Sequence, residues 1–172
     1  RTVVMPLARE FAPDIVLVSA GFDAAGGHSP QLGGYDVSAA CFANMTRQLM
    51  DVADGQIVLA LEGGYSLPSL CDSAEACMRA LLGDELPQLA EEHLRNRPNR
   101  NATQSLERVL AVHSKYWSSL KRTQNQVQYS ILEAKIREKE EAETVSALTS
   151  LSLQVADGSV KNSDVTMEDM EP

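Results

Sequence analysis

Residues 15–28, IVLVSAGFDAAGGH, constrain the fold of this chain more than any other stretch of the sequence. The run at 15–18 is apolar and mostly β-branched, without the alternation of polar residues that marks a half-exposed strand. It therefore predicts a strand buried on both faces, as in a parallel sheet. Asp23 follows directly after this strand, in a loop that ends in a glycine pair. Because ligands and catalytic groups collect at the carboxyl ends of strands in open α/β sheets, Asp23 is the first candidate site residue.

A second stretch repeats this design. Residues 56–61, QIVLAL, predict another buried strand, which runs into the sequence Glu62-Gly63-Gly64-Tyr65. Between the two strands, apolar residues recur every fourth position, as in a helix: Val37, Cys41, Met45 and Leu49. A strand, a helix and a strand form a right-handed βαβ unit, whose strands end at the same edge of the sheet. The loops of Asp23 and Tyr65 are thus expected to face one pocket, whether or not the strands are immediate neighbours.

Four helices are predicted around these strands. The first covers about 35–52, and the second opens near Pro68 and stops at Gly83. A short amphipathic piece follows at 86–94, and Thr103 is expected to cap a third long helix that ends near residue 122. The three cysteines lack the spacing of a zinc ribbon and are interpreted as buried free thiols: Cys41, Cys71 and Cys77.

Charge and composition limit the function further. The 172 residues are 44% hydrophobic, which is enough for one modest core. The chain starts at Arg1, so we expect it to be part of a longer protein. No apolar run approaches the ~20 residues of a membrane helix. The net charge is −9, and residues 138–172 contribute most of it with nine acids and two lysines. Direct DNA binding is therefore not expected, and the acidic segment 123–172 is predicted to be disordered.

Each candidate site residue also has an ordinary structural interpretation. Asp23 has the position of a common loop-turn aspartate, and Tyr65 that of a tyrosine packed beside a glycine turn. As functional groups, Asp23 would offer an anionic oxygen to a metal and Tyr65 a hydrogen bond to an oxyanion. His28 has no second histidine nearby, which favours a surface or hydrogen-bonded role over metal ligation. The spacing of these residues supports a hydrolase-like site in an α/β fold and nothing more specific.

A family resemblance adds what spacing does not. Residues 11–83 closely resemble the zinc-dependent histone deacetylases, through the motifs PDIVLVSAGFDAAGGHSPQLGGY and QIVLALEGGYSL. The later segments CDSAEACMRALLGDELP, LERVLAVHSKYWSSLKR and EEAETVSALTSLSLQV are similar to class IIa members, so the resemblance extends to about Val155. It implies an α/β fold in which a parallel sheet is flanked by helices, as in arginases. Residues 1–122 would then be the C-terminal portion of the deacetylase domain.

The resemblance also implies roles for individual residues. Asp23 falls on an aspartate that binds the catalytic zinc, and Tyr65 on the residue that hydrogen-bonds the acetyl carbonyl and its tetrahedral intermediate. Leu32 and Gly64 fall on positions that line the acetyl-lysine tunnel. The expected reaction is hydrolysis of acetyl-lysine on histone tails and other proteins, which leads to transcriptional repression. The other zinc ligands and the general-base histidines of the family are not in this chain, so these residues alone are predicted to be inactive.

Two features leave alternatives open. Vertebrate class IIa members carry histidine in place of Tyr65, so the tyrosine favours an active enzyme. The competing hypothesis is a non-catalytic scaffold of a corepressor complex, whose pocket serves as an acetyl-lysine reader. In the acidic segment, apolar residues are spaced as in signals for an export receptor, within 141–155: Val145, Leu148, Leu151 and Leu153. A chance pattern is the alternative there. The resemblance favours nuclear export, and with it shuttling between nucleus and cytoplasm.

Overall fold

A computed structural model describes residues 1–160 of the chain. The side chains of Leu32, Leu151 and residues 153–160, and the whole of residues 161–172, lie outside the described part. Two strands and seven α-helices occur within it, in the order α1 (Val4–Phe11), β1 (Val16–Ala20), α2 (Ala39–Met50), β2 (Ile57–Leu61), α3 (Leu67–Leu82), α4 (Glu91–Arg95), α5 (Arg100–His113), α6 (Ser118–Thr123) and α7 (Ile131–Val160). Short 3₁₀ turns lie at Pro30–Leu32 and Gln124–Gln126.

The two strands form the parallel pair that the sequence predicts. β1 and β2 are direct neighbours, and their register runs from Val16 opposite Ile57 to Ala20 opposite Leu61. With α2 between them they form a βαβ unit. Both strands therefore end at the same level of the same edge, and the loops of Asp23 and Tyr65 start side by side.

Only one face of this sheet is covered by the described residues. Helices α2 and α3 pack against each other and over that face, where the buried residues are Ala20, Phe22 and Cys77. The rings of Phe22 and Phe42 meet edge to face there, with their centroids 5.1 Å apart. On the opposite face, Leu17 is 73% exposed and its neighbour Val58 is 50% exposed. The prediction that β1 is buried on both faces is therefore wrong for this chain, because no described element covers its second face.

Helix ends follow local capping more closely than the apolar pattern. α2 begins at Ala39 and not near 35, because the hydroxyl of Ser38 accepts the N–H of Cys41 at 3.2 Å. Just before it, Val37 pairs with Ala25 in a β-bridge. α3 has Pro68 in its first turn and ends at Gly83, whose φ is 86°, as the sequence predicts. All three cysteines are free thiols, as predicted, but the predicted burial holds for Cys77 alone, since Cys41 is half-buried and Cys71 is exposed.

The long helix predicted over 103–122 is two helices in the structure. Asn99, and not Thr103, caps α5, because its side-chain oxygen accepts the N–H of Ala102 at 2.9 Å. α5 ends at His113, and the N–H groups of Tyr116 and Trp117 both donate to the His113 carbonyl oxygen in the turn that follows. The apolar pattern continues through this turn because Trp117 still packs in the core next to it.

A second core lies among α1, α5 and α6. Its buried residues are Leu110, Leu120 and Val127, and the side chain of Leu7 packs against them from α1. The apolar pattern of the sequence does not predict α1, which packs against α6. The hydroxyl of Thr123 also donates to the carbonyl oxygen of Thr2 at 2.8 Å. The first residues of the chain thus hold the helices that follow residue 100.

The structure differs from the predicted disorder over residues 131–160, where it has helix α7. Ser130 and Glu133 form a capping box at the start of this helix: the Ser130 N–H donates to the Glu133 carboxylate at 2.9 Å, and the Glu133 N–H to the Ser130 hydroxyl at 3.2 Å. Arg97 forms an ion pair with Glu133. The division of the chain at residue 122 stays a prediction, and residues 161–172 lie outside the described part.

None of the helices described here has the length and the apolar composition needed to span a membrane.

Candidate functional site

The loops after the two strands are joined by backbone hydrogen bonds. The N–H of Glu62 donates to the carbonyl oxygen of Ala20 at 3.1 Å, which continues the ladder past the end of β2. The N–H of Phe22 then donates to the carbonyl oxygen of Gly63 at 2.9 Å. The segment with Asp23 and the segment with Tyr65 are thus one bonded unit at the carboxyl edge of the sheet.

The carboxylate of Asp23 lies against two glycines. A β-carbon at Gly63 would come within 2.3 Å of Asp23 Oδ2, and one at Gly21 within 3.2 Å of the same atom. The absence of side chains at these positions makes room for the carboxylate. Its other oxygen, Oδ1, is buried and has no hydrogen-bond partner among the residues that the structure describes. A buried acceptor without a partner is costly, and a missing ligand such as a metal ion is one recognised cause.

Gly64 fixes the path of the second loop. Its φ is 122°, in the left-handed region that L-residues avoid. A β-carbon here would lie 3.1 Å from the Phe22 side chain and 3.3 Å from Leu70. The loop therefore rests directly on the residue that precedes Asp23.

The main chain at Tyr65 is held by a histidine from the first loop. His28 Nε2 accepts the N–H of Tyr65 at 2.9 Å and that of Ser66 at 3.1 Å. Its Nδ1 lies 2.9 Å from the carbonyl oxygen of Ala25. The interpretation of His28 as a hydrogen-bonded histidine is confirmed. Its two partners could not be identified from the sequence, because they lie 37 and 38 positions away.

The predicted tunnel residues can be placed only in part. The backbone of Leu32 lies in the 3₁₀ turn Pro30–Leu32, which Ser29 caps. Since the side chain of Leu32 lies outside the described part, its role in lining a tunnel stays a prediction. The same holds for Gly64, where an added β-carbon would meet the side chains of Phe22 and Leu70.

The metal-binding capacity of the described residues is limited. They contain no group of three or more His, Cys, Asp or Glu side chains that could hold a metal ion. A catalytic zinc usually has three protein ligands. Asp23 fits one of them, since its Oδ1 is buried and has no partner in the part of the chain that the structure describes. The described part of this chain can therefore contribute one carboxylate to such a site.

Comparison with known proteins agrees with this geometry. The histone deacetylase domain family matches residues 1–81. Over 172 residues, all of this chain, the sequence is 51% identical to human histone deacetylase 7 and covers 18% of that protein. Over 114 residues, 66% of the chain, it is 58% identical to human histone deacetylase 9 and covers 11% of it. Among solved structures, the crystal structure of the HDA15 HD domain matches with a TM-score of 0.62 and 36% identity, over 73% of this chain and 32% of that one.

These matches confirm the expected arginase-like deacetylase fold, of which the βαβ unit is a part. The chain spans less than a fifth of the length of the two human relatives. Both of those relatives are class IIa members, in agreement with the resemblance inferred from the motifs. Residues 1–81, which carry the site of Asp23 and Tyr65, match the histone deacetylase domain family, and the whole chain is similar to a class IIa histone deacetylase.

Proposed function

We propose that this chain contributes Asp23 and Tyr65 to the centre of a zinc-dependent deacetylase that hydrolyses acetyl-lysine on histones and other proteins. The observation that carries the proposal is the Asp23 carboxylate, whose Oδ1 is buried beside the loop that leads to Tyr65 and has no partner among the described residues. A structural aspartate in a turn normally has both oxygens solvated or hydrogen-bonded. An acceptor left free at the end of a parallel strand is what a ligand position requires.

The proposed reaction is hydrolysis of an amide. Water adds to the acetyl carbonyl carbon, the C–N bond breaks, and the products are acetate and the lysine amine. Asp23 would be one ligand of a zinc ion, which supplies Lewis acidity when bound. The Tyr65 hydroxyl would donate a hydrogen bond to the acetyl oxygen as negative charge develops on it. Its side chain is 77% exposed, so it is accessible to a substrate.

Two variants of the intact protein that contains this chain test the proposal. Tyr65→Phe removes one oxyanion donor and should lower kcat on an acetylated peptide by about 10²–10³-fold. Asp23→Asn should lower the zinc content of the purified protein, measured by elemental analysis, and the activity with it. If Tyr65→Phe retained full activity, or Asp23→Asn retained full zinc content, the proposed role of that residue would be wrong.

We also propose that residues 141–155 carry a nuclear-export segment, so that the intact protein shuttles between nucleus and cytoplasm. Two of its apolar positions support this: Val145 is 62% exposed and Leu148 is 61% exposed on α7. A helix with exposed apolar residues can fill the groove of an export receptor. Leu151 and Leu153 complete the spacing, and their side chains lie outside the described part. Repression through a corepressor complex is part of the same proposal and rests on the family relationship.

A further inference from the structure

The contacts of His28 define the tautomer of its ring. Nε2 accepts two backbone N–H groups, those of Tyr65 and Ser66, at 2.9 and 3.1 Å. An accepting nitrogen carries no proton, so the proton of the neutral ring must be on Nδ1. Nδ1 lies 2.9 Å from the carbonyl oxygen of Ala25, to which it can donate. Nε2 thus joins the first loop to the second, while Nδ1 holds the ring to its own loop.

Little else among the described residues fixes the Tyr65 side chain. Tyr65 as a whole residue is 77% exposed, and its hydroxyl makes no hydrogen bond with a described residue. The position of the phenol therefore depends on where the backbone of residue 65 is held. Gly64, directly before it, has no side chain that could anchor the loop, and its φ is 122°.

The start of α3 depends on the same histidine. Ser66 is the N-cap of α3, but its side chain makes no capping hydrogen bond. The Ser66 hydroxyl instead lies 3.1 Å from the Ser69 hydroxyl, which donates to the carbonyl oxygen of Gly26. His28 therefore receives the N–H groups that precede the helix, while Ser69 binds back to the loop that carries His28.

We propose that His28 is a positioning residue for Tyr65: it holds the backbone of residues 65 and 66 so that the phenol lies at a fixed distance from Asp23. This inference rests on the proposed catalytic role of Tyr65. A displacement of about 1 Å in a reacting group can cost about 10²-fold in rate, so the loss of the histidine should appear in kcat.

The first test compares substitutions of His28 in the intact protein. His28→Ala should lower kcat on an acetylated peptide by about 10–10²-fold, with little change in KM, because the group it displaces acts in the transition state. His28→Gln keeps an oxygen that can accept both N–H groups and should recover much of the activity. His93→Ala is the matched control, because His93 lies on α4 and its side chain is 68% exposed; it should leave kcat unchanged.

A double variant separates this inference from the proposed function. If His28 acts through Tyr65, His28→Ala should have almost no further effect on kcat in a Tyr65→Phe background. If Tyr65→Phe alone retains activity, the proposed function fails. If Tyr65→Phe loses activity but the effect of His28→Ala is unchanged in both backgrounds, only the positioning role is overturned, since a general loss of stability would act equally in both.

A spectroscopic test does not depend on activity. In the wild-type chain, ¹⁵N–¹H spectra of the histidine rings near neutral pH should show the Nδ1–H tautomer for His28. The amide signals of Tyr65 and Ser66 should shift in His28→Gln, because an amide oxygen replaces the ring nitrogen that accepts both N–H groups, and should stay in place in His93→Ala. A ring that carries its proton on Nε2, or amide signals that do not respond, would overturn the inference even if His28→Ala failed to fold.

Discussion

The carboxylate of Glu10 accepts the backbone N–H of Ser119 at 2.8 Å, so an acid on α1 caps a helix 109 positions further along the chain. It also accepts the N–H and the hydroxyl of Ser118 at 3.1 and 3.0 Å. Trp117, the N-cap residue of α6, makes no side-chain capping bond. Glu10 thus supplies the acceptor that α6 lacks at its start, where a negative charge also interacts favourably with the helix dipole.

This cap predicts an acid-sensitive contribution to stability. Hydrogen bonds from Ser119 and Ser118 hold the pKa of Glu10 at about 2, below its ordinary value of 4.5. Because the pKa is lower in the folded state, the stabilisation is present above the unfolded value and is lost as the pH falls from 4.5 towards 2. Urea titrations at several pH values should show Glu10→Gln less stable than wild type at pH 6, with the difference shrinking at lower pH.

The matched control for this titration is Glu107→Gln, since Glu107 is exposed on α5 and makes no hydrogen bond or ion pair with a described residue. Its stability difference from wild type should be small at pH 6. A Glu10→Gln protein as stable as wild type at pH 6 would mean that the cap contributes nothing.

Replacing Gly64 with alanine should destabilise the protein. In Gly64→Ala the new β-carbon would meet Phe22 at 3.1 Å and Leu70 at 3.3 Å, at a φ of 122°. Gly55→Ala is the control, because its φ of 79° is also left-handed while nothing lies within 4 Å of the new atom. Both should lose about 1–2 kcal/mol to the backbone conformation. Gly64→Ala should lose about 1–3 kcal/mol more to overpacking. Equal urea midpoints for the two variants would contradict the contact with Phe22.

Replacing Gly63 with alanine should weaken metal binding more than it weakens folding. A β-carbon there would lie 2.3 Å from Asp23 Oδ2, so Gly63→Ala must displace the carboxylate. In the intact protein we expect lower zinc content with little loss of thermal stability. Gly21→Ala meets the same oxygen at 3.2 Å and should have a milder effect. Full zinc content in Gly63→Ala would argue against Asp23 as a ligand.

The 172-residue chain by itself should not hydrolyse acetyl-lysine. Its described residues offer one candidate ligand, Asp23, and no group of three metal-binding side chains. Turnover of an acetylated peptide should therefore be undetectable with added zinc. Recovered zinc-dependent deacetylation would refute this prediction. In the intact protein, stoichiometric binding of the peptide without turnover would favour the acetyl-lysine reader over the enzyme.

The export segment predicts a change in location. Leu151→Ala combined with Leu153→Ala should retain the intact protein in the nucleus, as imaged by fluorescence microscopy, because it removes two of the four apolar anchors. Ser150→Ala with Ser152→Ala is a control on the same helix, since both hydroxyls bond only to carbonyl oxygens of the preceding turn. An unchanged distribution in the leucine variant would count against export through this segment.

The sequence predicted the parts of the fold that depend on local pattern. The parallel strands, the helix between them and the helix from Pro68 to Gly83 could be read because apolar spacing, proline and glycine are local signals. The sequence pattern of Ser130 and Glu133 is also a local signal, since it is that of a capping box at the start of a helix. The charged composition of the residues after it favoured a prediction of disorder instead. The side-by-side placement of the Asp23 and Tyr65 loops could be anticipated from the βαβ rule alone.

Long-range contacts could not be read in this way. The cap that Glu10 places on α6 and the bonds from His28 to Tyr65 join residues that only the folded chain brings together. The sequence does not reveal the break between α5 and α6, because Trp117 continues the apolar spacing although its backbone is not helical. The position of the Asp23 carboxylate, whose Oδ1 has no partner among the described residues, was equally hidden in the sequence, since the carboxylate fits only beside the two glycines around it.

The bare side of the two-stranded sheet has a practical consequence. Leu17 and Val58 lie next to each other there, and among the described residues each strand pairs with just the other strand, so unpaired main-chain groups flank an apolar surface. Surfaces of this kind attract other chains, which makes aggregation during purification the expected behaviour of these 172 residues in isolation. Replacing Leu17 and Val58 with threonine would keep the strand preference and make that face of the sheet more polar. This double variant offers a direct route to a soluble preparation for spectroscopy.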